Sequence, residues 1–209
     1  NIPYDVEQIQ GISTQLAEEK GEDLETVLQL FNEVLAKSTF VVGQNVKFDL
    51  NIMGCEFHRK ELATNLNDLP VLDTCSEVTA NLCQLKGGRG GKFKYPTLTE
   101  LHQYLFGGSF GDAHNATADV EATTRCFLEL IRKRIFTKEA LRVSSDYFEI
   151  FEAKNPVSID VIGLKHLDLK KESKKLRKKY EEKSEDLKPV KDASKALENV
   201  NFTHLHCHS

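Results

Sequence analysis

The stretch Thr39-Phe-Val-Val-Gly43-Gln-Asn45-Val-Lys-Phe-Asp49 decides the fold class of this chain. Its first four residues are mostly apolar and β-branched, which predicts a short buried strand that ends at Gly43. Asn45 is a residue type that caps helices, and the apolar residues after it predict a helix that ends near Arg59. The carboxylate of Asp49 therefore lies in the first turn of a helix that follows a buried strand.

Other segments repeat this alternation of short strand and helix. Residues 22–37 carry apolar side chains at helical spacing, and residues 71–73 predict a second short strand with a helix at 74–85 after it. A further helix follows Pro96, and a long one begins after His114. We therefore expect an α/β fold with a parallel sheet.

Composition limits the classes of function. The chain has 209 residues, 40% of them apolar, and a formal charge of -4. This charge argues against a generally basic coat for nucleic acid, so any such contact must be local. The five cysteines are an odd number without metal-ligand spacing, which favours reduced thiols in the cytoplasm. No apolar run is long enough to span a membrane, so we expect no membrane partner.

A second motif, His114-Asn-Ala-Thr-Ala-Asp119, supplies groups suited to phosphodiester hydrolysis. Carboxylates such as Asp49 and Asp119 can hold two metal ions about 4 Å apart. Histidine is a suitable general base because its pKa lies close to neutrality. Asp73 is a weaker candidate, since an acid after a strand can simply cap a helix.

Three segments together resemble the DEDDh 3′–5′ exonucleases, of which proofreading exonucleases of the bacterial DNA polymerase III epsilon type are the most similar. They are Gln10-Gly-Ile-Ser13, the Gln44–Asp49 motif and the His114–Asp119 motif, and the resemblance covers residues 1–136. It implies a ribonuclease H-like fold, with Mg²⁺ or Mn²⁺ in a two-metal site and the single-stranded 3′ end of DNA as substrate.

The resemblance also implies roles for individual residues. His114, Asp49 and Asp119 would be catalytic, with both acids binding metal. Asn45 and Phe48 would bind the substrate near its 3′-terminal nucleotides.

Two interpretations of these last residues stay open. Asn45 can be only a helix cap, and Phe48 fits core packing better than contact with a nucleotide. The loop at 87–91, with basic residues on both sides, suits either phosphate binding or simple solvation.

The first motif of this family is Asp-x-Glu on a first strand. Asp5-Val-Glu7 has the right letters, but Pro3 precedes it and no apolar strand surrounds it. The family's first motif also lies much further from the second. We therefore expect an N-terminally incomplete exonuclease domain at 1–140, lacking its first strands and inactive as a fragment.

The C-terminal part differs in composition. We predict a connector and charged linker at 141–199, with a strand-rich part at 147–162. Residues 170–195 hold 11 Lys/Arg against 6 Asp/Glu, which favours a solvated, partly helical linker.

Residues 200–209 alternate like a strand and resemble the opening of a PHP (polymerase and histidinol phosphatase) domain. In that family the residues equivalent to His206 and His208 bind metal, so a further metal is expected there.

The order of these parts resembles a bacterial DNA polymerase III alpha subunit with proofreading fused at its front. Expected partners are primer-template DNA, other replicase subunits and a sliding clamp, in the bacterial cytoplasm. The alternatives are a free-standing epsilon-like exonuclease, or a nuclease fold that only binds.

Overall fold

The computed structural model describes residues 1–111, 116–160, 164 and 167–186, with side chains up to residue 182. The chain consists of two compact units. The larger unit is Lys20–Leu167, and the smaller joins Asn1–Glu19 to the segment that begins at Asp168. No helix in the described ranges is long and apolar enough to cross a membrane.

The bounds of the elements follow in chain order. They are α1 (Tyr4–Gln10), α2 (Thr14–Lys20), α3 (Leu24–Leu35), β1 (Val41–Gly43), α4 (Lys47–Arg59), β2 (Val71–Asp73), α5 (Glu77–Cys83), a 3-10 helix (Arg89–Gly91), α6 (Leu98–Phe106), α7 (Ala116–Arg132), α8 (Lys138–Leu141), α9 (Tyr147–Lys154) and α10 (Leu169–Asp186).

Most predicted elements are confirmed, and one is wrong. Both strands and the helices α3, α4, α6 and α7 lie where the sequence pattern places them, while α5 begins three residues later than expected. In the strand-rich part expected at 147–162, residues 147–154 instead form the helix α9, in which the rings of Tyr147 and Phe151 stack one turn apart at 6.0 Å. Residues 155–160 form neither helix nor strand, and 161–162 lie outside the described residues. Aromatic residues at this spacing suit a helix as well as a strand.

The sheet of the larger unit consists of β1 and β2, which pair in parallel with Val42 opposite Leu72. Successive side chains of a strand point to opposite faces. Val41 accordingly packs against one apolar cluster, and Val42 packs against another. The sheet thus lies between two layers of helices, as expected for an α/β fold.

Each layer has its own core. The cluster on the Val41 side has Leu28, Leu35, Phe57 and Leu66 buried, from α3, α4 and the loop before β2. The other cluster is larger and is built mainly on α6 and α7. Its buried members are Leu72, Leu101, Cys126, Phe127, Leu130, Ile131, Phe136 and Leu141.

The smaller unit brings α1 and α2 together with α10. The hydroxyl of Ser173 donates to the backbone oxygen of Gly11 at 2.7 Å and accepts from the N–H of Ser13 at 3.0 Å. Leu16 and Leu176 are buried in the same unit. The partly helical character predicted for 170–195 is therefore confirmed up to Asp186, where α10 ends. One face of α10 packs against the segment that joins α1 and α2.

The division into 1–140, 141–199 and 200–209 stays a prediction. The two compact units have other boundaries, since residues 1–19 group with α10 rather than with the sheet.

Candidate functional site

Asp49 and Asp119 each lie in the first turn of a helix, as the sequence predicted. Asp49 is exposed on α4, which directly follows β1, and Asp119 is half-buried on α7, which packs against β1. Within the described ranges neither carboxylate has a hydrogen bond or an ion pair. Both acids therefore keep their oxygens available, at helix ends where negative charge is stabilised.

The turn between β1 and α4 is held by Asp73, at the end of the neighbouring strand. Its carboxylate accepts hydrogen bonds from the backbone N–H groups of Asn45 at 2.9 Å, Val46 at 3.1 Å and Cys75 at 2.7 Å. Asp73 therefore ties both strand ends together and fixes where α4 begins. This agrees with the view of Asp73 as a structural acid.

The expected helix cap at Asn45 is wrong. Val46 occupies the capping position of α4, without a side-chain hydrogen bond. Asn45 has a φ of 58°, in the left-handed region that asparagine tolerates better than most residues. Asparagine thus suits the backbone of this turn, while the backbone N–H groups of Asn45 and Val46 donate to the carboxylate of Asp73.

Two further residues of the turn are fixed by packing and hydrogen bonds. A Cβ atom at Gly43 would lie 2.7 Å from Cβ of Val46, so a side chain there collides with a buried neighbour. Gln44 accepts from the Thr74 hydroxyl at 2.6 Å and donates to the Pro96 oxygen at 2.8 Å. The turn that precedes Asp49 is therefore tied to two other segments, the end of β2 and Pro96.

Phe48 lies beside Asp49 and is 65% exposed. The core-packing interpretation of this residue is wrong because its side chain is largely exposed, and the buried residue of α4 is Phe57, near the other end of the helix. An exposed aromatic ring next to an available carboxylate offers a flat apolar surface to a nucleobase.

The donor types at this site fit a hard divalent cation, since carboxylate oxygens are the ligands that Mg²⁺ and Mn²⁺ prefer. The described ranges, however, contain no group of three or more His, Cys, Asp or Glu side chains that could hold a metal ion. Asp49 and Asp119 thus fit as contributing ligands and do not form a complete site alone. His114, His206 and His208 lie outside the described residues.

A second, buried polar group is centred on His102, in the middle of α6, and was not singled out from the sequence. The ring of His102, 3% exposed, contacts the Gly108 oxygen through Nδ1 at 2.7 Å. Its Nε2 lies 3.1 Å from Nη1 of Arg125, whose guanidinium covers the Phe106 ring at 4.5 Å.

These two contacts determine which nitrogen of the His102 imidazole carries the proton. Arg125 can only donate, so Nε2 accepts and Nδ1 donates to the Gly108 oxygen. Burial, opposed by the Gly108 hydrogen bond and assisted by the Arg125 charge, lowers the pKa of His102. The neutral imidazole therefore joins α6, α7 and the loop at 107–111, which precedes His114 in sequence.

The basic loop offers fewer charges than its sequence indicates. Lys92 pairs with Glu77 at 3.0 Å, and Lys94 pairs with Glu100 at 2.6 Å. Both lysine charges are thus balanced by neighbouring acids, which weakens the case for phosphate binding here.

The cysteines of the larger unit do not form an activated thiol centre. Burial, with a contribution from Asp73, raises the pKa of Cys75, and burial raises the pKa of Cys126 to about 12. Such thiols stay protonated near neutral pH and are poor nucleophiles. Nucleophilic catalysis by Cys75 or Cys126 is therefore disfavoured.

Available carboxylates on helices beside a parallel strand suit metal-assisted hydrolysis. A family model described as Exonuclease (RNase_T) matches residues 1–127, so the chain belongs to this exonuclease family, with its ribonuclease H-like fold. The comparison with curated proteins found no match.

Proposed function

We propose that this chain is a 3′–5′ exonuclease region that removes 3′-terminal nucleotides from single-stranded DNA. The observation that carries this proposal is the pair Asp49 and Asp119, two available carboxylates on helices that follow or contact β1, within the exonuclease match. Phe48 supports it as an exposed ring beside Asp49.

In this mechanism each residue has a separate task. Asp49 and Asp119 would hold Mg²⁺ or Mn²⁺, which when bound stabilises negative charge on the attacking and leaving oxygens. His114 would take the proton from the attacking water, for which its pKa near neutrality is suited. Phe48 and Asn45 would contact the terminal nucleotides and hold the strand in place.

The test uses the complete product of the gene that encodes this chain and a single-stranded DNA labelled at its 5′ end, with Mg²⁺ or Mn²⁺. A 3′–5′ exonuclease shortens the labelled strand stepwise, whereas the opposite polarity releases the label at once. Asp49→Asn and Asp119→Asn are expected to lower the rate at least about 100-fold. The exposed Asp68→Asn is the matched control and should leave the rate unchanged.

The assignment of the general base has its own test. His114→Ala should lower the rate by about 100-fold or more, the usual contribution of a positioned base. Full activity of this variant would contradict the role given to His114.

We further propose that the exonuclease serves proofreading in a bacterial polymerase III alpha-type replicase, with His206 and His208 as metal ligands of a PHP domain. The support is the sequence pattern at 200–209 alone. Extension of a primer-template by the complete gene product, with faster removal of a mismatched than a matched 3′ end, would agree with it. A product that digests DNA but does not extend primers would favour the free-standing exonuclease.

A second candidate function is a nuclease fold that binds DNA without cleaving it. It is favoured by one observation, the absence of a three-ligand metal group among the described residues. Binding of a 3′-ended strand by the complete product, without cleavage in either metal, would support this function.

A further inference from the structure

The helix α10 arranges its charges unevenly around its axis. Its buried side chains, Ser173 and Leu176, face α1 and α2. Lys171, Lys174 and Lys178 recur at intervals of three and four residues, which places them on one face. At about 100° per residue this face lies roughly opposite the buried one. We call these three residues the lysine stripe.

Several other cations of α10 form ion pairs with acids. Arg177 pairs with Glu7, and Lys179 pairs with Glu19 at 3.4 Å, so these cations bind acids of α1 and α2. Lys175 pairs with Glu172 of its own helix at 2.7 Å. Within the described ranges the three lysines of the stripe are exposed and have no such partner.

The stripe is also held on a packed element rather than on a flexible tail. Ser173 makes two hydrogen bonds with the backbone around Gly11 and is 4% exposed. A side chain at Gly11 would collide with Lys170, its Cβ lying 2.7 Å from Cγ, which shows how closely α10 approaches this turn. The lysines therefore keep a fixed spacing without the entropic cost of ordering a loop.

We infer that the lysine stripe binds the phosphate backbone of single-stranded DNA, as a second contact beyond the nuclease site. This inference rests on the proposed function, which makes such a strand the substrate. The stripe spans about 10 Å along the helix, enough for two or three successive phosphates. Each lysine that neutralises a phosphate adds to a salt-dependent, sequence-independent affinity.

An acidic membrane is a poorer match for this surface. A helix that lies on a membrane needs an exposed apolar face beside its basic one. In α10 Leu176 is 8% exposed and is used in packing within the smaller unit, while Tyr180, 44% exposed, lies on the side of the helix away from the stripe. The stripe thus offers charge alone, which suits a phosphate backbone.

The test compares two triple variants of the full chain with the same change in net charge. One is Lys171→Gln/Lys174→Gln/Lys178→Gln, and the control is Lys37→Gln/Lys60→Gln/Lys154→Gln, at exposed lysines of the larger unit. Binding of a fluorescein-labelled oligothymidylate is measured by anisotropy over a range of salt concentrations. EDTA is present throughout, so that no cleavage occurs.

For three phosphate contacts on a single strand, the slope of log affinity against log salt should decrease by about 2 in the stripe variant. Its deficit relative to the unmodified chain should therefore shrink roughly 20-fold between 50 and 200 mM salt. The control should keep the original slope. A Lys→Arg triple variant at the stripe should restore the slope, because it restores the charge.

Equal slopes for the stripe and control variants would overturn the inference. So would a stripe variant that loses binding to phosphatidylserine vesicles but keeps its affinity for DNA. Failure of the proposed function appears separately, as absence of cleavage by the complete gene product when Mg²⁺ or Mn²⁺ is supplied, and leaves the binding result readable.

Discussion

The carboxylate of Asp73 accepts a hydrogen bond of 2.9 Å from the backbone N–H of Asn45. These residues lie at the ends of two parallel strands, and the contact joins the end of β2 to the turn that follows β1. Asp49 lies only four residues after Asn45. The orientation of this candidate metal ligand therefore depends on a carboxylate at the end of another strand.

Asp73→Ala should therefore destabilise the fold. It leaves three backbone N–H groups without their acceptor, and we expect a loss of about 2–3 kcal/mol in the free energy of unfolding. Urea unfolding followed by circular dichroism measures it. The exposed Asp68→Ala is the control, and equal midpoints for the two variants would show that the Asp73 contacts contribute little.

Gly43→Ala should destabilise by overlap with Val46. The added methyl group would lie 2.7 Å from two carbons of a side chain that is 5% exposed. We expect a cost of about 1–3 kcal/mol, typical of overpacking. The same substitution at Gly54, within α4 and with no neighbour within 4 Å, should instead stabilise by up to about 1 kcal/mol.

A double-mutant cycle tests the cause of this effect. In a Val46→Gly background both colliding carbons, Cβ and Cγ2, are removed, so Gly43→Ala should cost clearly less. An unchanged cost in that background would assign the destabilisation to the backbone rather than to the side-chain overlap.

Phe48→Ala should weaken binding to single-stranded DNA while leaving stability unchanged. The ring is 65% exposed, so its removal opens no cavity, but the loss of stacking costs about 1–3 kcal/mol of binding. Anisotropy in EDTA and thermal unfolding separate the two effects. Tyr104→Ala, another exposed ring at 50%, should change neither quantity. A lowered melting temperature with unchanged affinity would make Phe48 a packing residue.

His102 should make stability depend on pH. Burial lowers the pKa of His102 in the folded state from its ordinary value of 6.5, so below this value the unfolded chain binds more protons. Stability is fully present above about pH 6.5 and decreases as the pH falls towards and through the folded pKa. The slope contributed by one such group is at most about 1.4 kcal/mol per pH unit.

The measurement is the free energy of unfolding between pH 8 and pH 5. In His102→Gln this component should be missing, whereas the exposed His58→Gln should keep it. Identical pH profiles for the unmodified chain and His102→Gln would contradict the neutral, Arg125-bound imidazole.

Local patterns predicted the elements that surround the site. The alternation of β-branched residues and the helical spacing after Gly43 give β1 and α4, because these periods depend only on which side chains are buried. The positions of Asp49 and Asp119 in first helical turns follow from the same patterns.

Contacts between distant residues were not predictable in this way. Whether Asn45 or Asp73 caps the turn depends on a partner 28 residues away, and the sequence does not indicate which carboxylate points there. The exposure of Phe48 depends on what covers α4. His102 and Arg125 come together only because α6 packs against α7. Their pairing therefore leaves no recognisable local motif in the sequence.

The hydrogen bond between Ser13 and Ser173 joins residues 160 positions apart, with all of Lys20–Leu167 between them in sequence. During synthesis α1 and α2 are translated before the larger unit, and their partner helix α10 is translated after it. The described elements of the larger unit all precede α10 in sequence, so this unit can fold before α10 is available, as domains generally do on the ribosome. The helices α1 and α2 would then reach their final packing later than a unit that is translated after them.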